Sequence, residues 1–127
     1  MGKIEGQYFD YILKAGYIEV RYKVNLITID IAKESVRVRK ELSGGNAYPI
    51  LVNGAQVAKF DKESRDYLSS DEATDGVLAG GILAKSVFQA TLANFFLKVT
   101  KPKIPAKLFT KEEDIIKWFD ELGLREK

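Results

Sequence analysis

The chain contains no cysteine and no histidine among its 127 residues. The first absence excludes disulfides, thiolate nucleophiles, iron–sulfur clusters and most zinc motifs. The second removes Ser-His-Asp and Cys-His arrangements, along with the side chain best matched to proton transfer at neutral pH. Catalysis would have to rest on Asp, Glu, Lys or Tyr, and no nucleophile motif accompanies them, so a protein that is not an enzyme is expected. No G-x-G-x-x-G or Walker sequence occurs, and no cofactor is expected. Long apolar runs are missing too. Nothing reaches the roughly 18 residues of a membrane span, and the opening MGKIEGQYFDYILK lacks the apolar core of a signal peptide. Gly6 stands where a myristoylation motif needs Ser or Thr. Integral membrane association is therefore not expected, and the cytoplasm is the default location. Charge of one sign is also lacking: 20 basic and 18 acidic residues leave a net charge of +2, too balanced to draw nucleic acid or an anionic membrane over long range.

What is present suits a folded domain. The composition is 46% hydrophobic and 30% charged, which places the chain among globular rather than disordered sequences, and its length fits one domain spanning residues 1–127. Tyr8 to Leu13 and Tyr17 to Val24 are rich in aromatic and branched residues, and Ala15-Gly16 offers the turn of an antiparallel hairpin, about residues 7–24. The stretch LITIDIAKESVRVRKELSGG fits alternation as well as a helical face through Ile31, Ser35, Val38 and Leu42. Thr28 as cap, Asp30 in the first turn and Gly44-Gly45 as a left-handed stop favour a helix from about Ile29 to Leu42. YPILVNG reads as a strand buried on both faces. A helix starting at Asp61 is expected to weaken near Ser69-Ser70.

Val77 to Ala84 reads as another core strand, and its Gly80-Gly81 pair suggests the close approach of a helix. From Ser86 onward, Phe88, Leu92, Phe95 and Val99 share one helical face and predict burial there, with Phe96 widening it. Pro102 and Pro105 stop that helix, Ala106 to Phe109 forms a last strand, and Thr110 with Glu113 reads as a capping box. In the final helix Ile115, Phe119 and Leu122 are expected to point inward, flanked by Ile116 and Trp118, before Gly123 ends it. The fold class is therefore α/β, a single layered domain with a mixed, mostly parallel sheet in the order β-β-α-β-α-β-α-β-α and an α/β core of about residues 28–123.

From about Ile29 to Leu122, the stretches YPILVNG, SRDYLSSDEAT, LANFFLKVTKPKIPAKLFT and EEDIIKWF resemble the STAS or anti-sigma-factor-antagonist-like superfamily. The likeness is closest to small uncharacterised bacterial cytosolic proteins placed in it. The resemblance implies a non-catalytic regulatory or protein-interaction module with a protein partner. Anti-sigma-factor antagonists are switched by phosphorylation of a serine in a motif of the type Asp-Ser-Ser-Gly at a helix N-terminus. Asp61 matches its aspartate, but Lys62 and Glu63 hold the serine positions and Ser64 sits a turn further in, so the matching phospho-serine is missing.

Several constellations invite a functional reading beside a plain one. The acidic run from Asp61 to Asp75 offers Asp71, Glu72 and Asp75 to a cation, but it matches no calcium loop, and a solvated helix end is the better reading, so no metal is expected. Asn53-Gly54 reads as a turn at the carboxyl end of a strand, where parallel sheets gather ligands. Tyr48, Tyr67 and Ser64 are candidates to line a small pocket there. NFFLKVTKPKIPAKLF combines Phe96 with Lys98, Lys101 and Lys103, yet every residue also has a role at a helix-to-strand junction, and nucleic acid is not expected to bind it. The expected partner or ligand surface thus comprises Asn53, Gly54, Asp61, Ser64, Phe96, Lys98, Lys101 and Lys103. A carrier of a small apolar or anionic ligand, such as a lipid, is the alternative function. A homodimer is expected if Phe96 or the hairpin edge is exposed.

Overall fold

A computed structural model describes residues 2–125. Two strands, β2 (Phe9–Lys14) and β3 (Tyr17–Tyr22), form the expected hairpin, with Gly16 at φ 81° in the turn. A short strand β1 (Lys3–Glu5) pairs antiparallel with β2 and forms the edge. After a two-residue strand β4 (Leu26–Ile27) comes α1 (Ile29–Ser43). Its start is capped as the sequence suggests: the Ile31 N–H donates to Thr28 Oγ1 at 3.3 Å, and Gly44 ends the helix at φ 58°.

Strand β5 (Tyr48–Asn53) is followed by β6 (Lys59–Phe60), which pairs parallel with β4 as a small separate sheet. Helices α2 (Lys62–Leu68) and α3 (Asp71–Thr74) divide at Ser69-Ser70, as expected. Strand β7 (Val77–Leu83), helix α4 (Val87–Thr100), strand β8 (Ala106–Phe109) and helix α5 (Glu112–Glu121) complete the chain.

The main sheet runs in the order β1-β2-β3-β5-β7-β8, antiparallel through β1, β2 and β3 and parallel from β3 to β8. Alternation along each strand gives the sheet two apolar faces. On one, Phe9, Tyr11, Ile18, Val20 and Ile50 form the core with Ala32 and Val38 of α1, while Leu68 of α2 and Leu92 of α4 pack around it. On the other, Tyr17, Leu51, Ala79 and Leu83 meet Ile115 and Phe119 of α5. The molecule is thus three layers, with α5 alone against the second face.

The glycine pair in β7 has the geometric role its sequence suggested. A Cβ on Gly81 would lie 2.4 Å from Ile115 Cγ2, so the absent side chain is what lets α5 seat on the sheet.

Three local expectations fail. The helix α5 starts from Lys111, with no side-chain cap, so Thr110 and Glu113 do not form a capping box. Leu122 lies beyond the last helical residue and is 41% exposed, because the chain turns away there at Gly123. The third concerns α4. Phe88, Phe95 and Val99 are exposed (59%, 49% and 47%), whereas Ala93 is buried and Phe96 is half-buried. The sequence of α4 is apolar on more than one side, and small Ala93 together with Leu92, Phe96 and Leu97 makes the inward stripe.

Candidate functional site

Between α1, α4 and the first face of the sheet lies a cavity of about 210 Å³. Its sheet side carries Val20, Ile50, Val52 and Ile82, and its α4 side Leu92 and Phe96. Two small residues on adjoining strands, Gly80 and Ala106, put little bulk into the space, and a Cβ on Gly80 would find its nearest atom, Ile104 Cδ1, 4.0 Å away. On the α4 side the ring of Phe96 meets Phe60 edge-on at 5.1 Å between centroids.

Against this apolar lining stands a group of polar residues. Arg39 of α1 is 4% exposed, and Ser35, one helical turn earlier, is 1% exposed. Tyr11 and Tyr22 from the hairpin join them in lining the cavity. Ser35 Oγ donates to the Ala32 carbonyl at 2.8 Å, which leaves Tyr22 Oη as donor in its 3.1 Å contact with Ser35 Oγ. Burial pushes the hydroxyl pKa of both tyrosines above the ordinary value, so both stay protonated at neutral pH.

Arg39 uses Nη2 to donate to two main-chain carbonyls, of Ala73 at 3.1 Å and of Asp75 at 2.9 Å. Those bonds anchor the loop between α3 and β7 to α1. Burial lowers the guanidinium pKa, with the fields of Tyr11 and Asp75 acting against that fall, yet an arginine remains charged in any protein environment. Arg39 makes no ion pair among the described residues; the Asp75 carboxylate lies instead 3.8 Å from Lys40 Nζ.

The residues singled out from the sequence do not form one surface. Gly54 and Phe96 line the cavity, which brings the strand end after β5 and the α4 junction together. Phe96 therefore points inward rather than joining the lysines outside. Asn53 Oδ1 accepts from the Ala55 N–H at 3.2 Å and shapes the turn. Asp61 caps α2 by accepting from the Ser64 N–H at 2.8 Å. Ser64 is fully buried, with its hydroxyl 2.9 Å from the carbonyls of both Ile27 and Asp61, so it serves as a link between α2 and β4. Lys98 is exposed in the last turn of α4, Lys101 ends that helix at φ 46°, and Lys103 pairs with Asp71.

Of the other expectations, Tyr48, Tyr67 and Ser64 do not line the cavity. The Tyr67 hydroxyl donates to Glu72 Oε2 at 2.5 Å on the outside of α2, and desolvation together with that carboxylate pushes its pKa up to about 12. The acidic run disperses: Asp71 is paired with Lys103, Glu72 with Tyr67 and Asp75 with Lys40. Among the described residues no group of three or more acidic side chains is placed to hold a metal ion.

Sequence reasoning missed Arg39, Tyr11 and Tyr22 as site residues. The signal was present in α1, where Ser35 and Arg39 are spaced i, i+4 on a stripe otherwise read as core.

Among the described residues no helix is long and apolar enough to cross a membrane. A family model described as "Domain of unknown function (DUF7793)" matches residues 11–122. No curated protein matches the chain. Among solved structures, an uncharacterized protein of the DUF3478 family with a SpoIIAA-like fold, from Shewanella loihica PV-4, superposes with a TM-score of 0.60 at 11% identity, covering 92% of this chain and 90% of that one. A protein with unknown function from Arthrobacter sp. FB24 shares 22% identity over 92% of this chain and 90% of that one, with a TM-score of 0.31. The DUF3478 likeness shows the fold, which is SpoIIAA-like and thus of the STAS-like kind that the sequence resembles.

Proposed function

The chain belongs to this domain family of unknown function, DUF7793, and from that premise we propose that it is a non-catalytic module that binds a small apolar ligand between α1, α4 and the sheet. The observation that carries the proposal is the cavity itself. Small-molecule sites are concave and mostly apolar with a few polar groups, and about 210 Å³ of largely apolar space, partly open to solvent, is a pocket of that kind. A dry cavity of about 150 Å³ with an aliphatic and aromatic lining already takes up benzene.

The test uses 1-octanol as a neutral probe and the Gly80→Leu variant, which places a side chain in the space above β7. Wild type is expected to bind the probe in calorimetry and to gain thermal stability from it, while Gly80→Leu loses both. Failure of wild type to take up 1-octanol overturns the reading. Native mass spectrometry of freshly purified protein then asks whether a cellular compound travels with it.

A second reading, regulation through a protein partner, is favoured by the outer face of α4. Val87 is 85% exposed, Phe88 59%, Phe95 49% and Val99 47% along this one helix, exposed apolar surface of the kind that marks contact sites. A Phe88→Ser, Phe95→Ser double variant that captures the same proteins as wild type in a pull-down counts against this reading.

A further inference from the structure

We propose that the cavity is built for an acid: a small carboxylate whose apolar body fills the space beneath α4 and whose charged group is held by Arg39. This rests on the ligand-binding reading above and adds the chemical class of the ligand.

A cation taken out of water is retained when it is paired, and lone buried charges are otherwise strongly unfavourable. Arg39 is 4% exposed, has two carbonyl acceptors on Nη2, and meets no carboxylate within ion-pair distance. A guanidinium carries five N–H donors; the two on Nη2 are taken, and those of Nε and Nη1 meet no protein acceptor among the described residues yet are not sealed from solvent, so they are open to a ligand. Glu19 shows the contrast within the same chain: it is fully buried as well, but has Lys14 and Arg21 at 2.9 and 3.0 Å. The one buried charge that lines the cavity is therefore the one left without a counter-charge.

The surroundings select among anions. On the same wall the Ser35 and Tyr22 protons are committed to the Ala32 carbonyl and to Ser35 Oγ, which leaves the Tyr11 hydroxyl as the neutral donor beside Arg39, a set suited to a single carboxylate, whereas a phosphate dianion would face one cation only. Apart from Thr74 and Gln89 the rest of the lining is apolar, which disfavours a small hydrophilic acid and the water it carries. Size limits the body of the ligand to a short chain: a space of about 210 Å³ is somewhat larger than the roughly 150 Å³ cavity that takes up benzene. An eight-carbon acid is the matching probe.

The experiment compares octanoate with 1-octanol by calorimetry on the full chain. Octanoate is expected to bind wild type about ten- to a hundred-fold more tightly, the usual value of a hydrogen bond to a charged group. Arg39→Gln should remove that preference while 1-octanol still binds, since the apolar walls from the sheet and α4 are unchanged although the anchors to the Ala73 and Asp75 carbonyls are lost. Gly80→Leu should abolish binding of both probes, which places the acid in the cavity.

Equal affinity of wild type for the two probes overturns the acid inference and leaves the cavity reading standing. Persistence of the octanoate preference in Arg39→Gln, or of octanoate binding in Gly80→Leu, overturns it as well. Failure of wild type to bind either probe overturns both readings. If Arg39→Gln does not fold, the wild-type ratio and the Gly80→Leu result decide the matter by themselves.

Discussion

A Cβ built on Gly81 of β7 would lie 2.4 Å from Ile115 Cγ2 of α5, with Ile115 Cγ1 and Cβ at 3.3 and 3.4 Å. Its neighbour Gly80 faces the opposite side of the sheet, where the nearest atom to such a Cβ is 4.0 Å away. Two adjacent glycines thus answer to different constraints: Gly81 to the seating of a helix, Gly80 to the space beneath α4. Gly81→Ala is expected to destabilise by about 1–3 kcal/mol, the usual cost of overpacking a filled core. Gly80→Ala should be neutral, or stabilise by about 0.4–1 kcal/mol through lower entropy of the unfolded chain. Urea denaturation of the two variants checks the pair, and equal losses would show that the cavity wall above Gly80 is as tightly filled as the α5 contact.

Glu19 gives a pH dependence with a defined sign. Burial raises its carboxyl pKa, but the contacts of Lys14 and Arg21 outweigh that and hold it below the ordinary value. A folded-state pKa below the unfolded one adds stability above the unfolded value, near 4.3–4.5, and loses it as the pH falls through the folded one. The urea midpoint should therefore drop as the pH is lowered from about 6 to below about 4. The Glu19→Gln variant should be less stable than wild type at pH 7 and should lose part of that slope. An unchanged slope in the variant assigns the acid sensitivity to other carboxylates.

Of the three phenylalanines of α4, Phe88 and Phe95 are exposed where periodicity predicts burial, and Phe96 is the one turned inward. Phe88→Ala is expected to change stability by no more than about 0.5 kcal/mol, as befits an exposed site. Phe96→Ala removes the edge-on contact with Phe60 at 5.1 Å and should cost about 2 kcal/mol, roughly half of what a fully buried phenylalanine loses. Thermal or urea melts of both variants measure the difference, and a larger loss for Phe88→Ala would mean that α4 is rotated in solution.

Ser64 should resist modification while the protein is folded. Its hydroxyl contacts the Ile27 and Asp61 carbonyls at 2.9 Å and has no access to solvent. Ser64→Ala should cost about 0.5–1.5 kcal/mol, since the Ile27 carbonyl loses that donor but keeps the Asp61 N–H at 3.3 Å. Ser64→Glu should unfold α2, because a buried carboxylate would replace a satisfied hydroxyl. A Ser64→Glu protein with wild-type melting behaviour would reopen the phospho-switch for this chain.

Much of the scaffold is legible in local chemistry. The start and end of α1, the break between α2 and α3, the hairpin and the bounds of β8 each follow from a cap, a glycine, a proline or a strand pattern. Strands β1, β4 and β6 are not legible, because two or three residues become strands only when a partner supplies the hydrogen bonds. The capping box at Thr110 fails for a related reason: β8 continues as far as Phe109, and the chain enters α5 only after Lys111.

The site divides the same way. Gly54 and Phe96 were within reach of the sequence, but as members of a surface rather than as walls of a cavity. Arg39 was not, since a cation on a helix normally signals the solvated face.

Residue types and their spacing were enough for the order of the longer elements, the layered α/β class and the lack of residues on which most enzymes depend. Those properties are local, because they follow from residue type and short-range spacing. Tertiary structure alone decided which stripe of α4 turns inward, and hence that space remains over Gly80 and Ala106 and that Arg39 lines it without a counter-charge. A helix that is apolar on several sides has no preferred face until the sheet beneath it offers a shape to match, and that shape is made by residues from five separate elements.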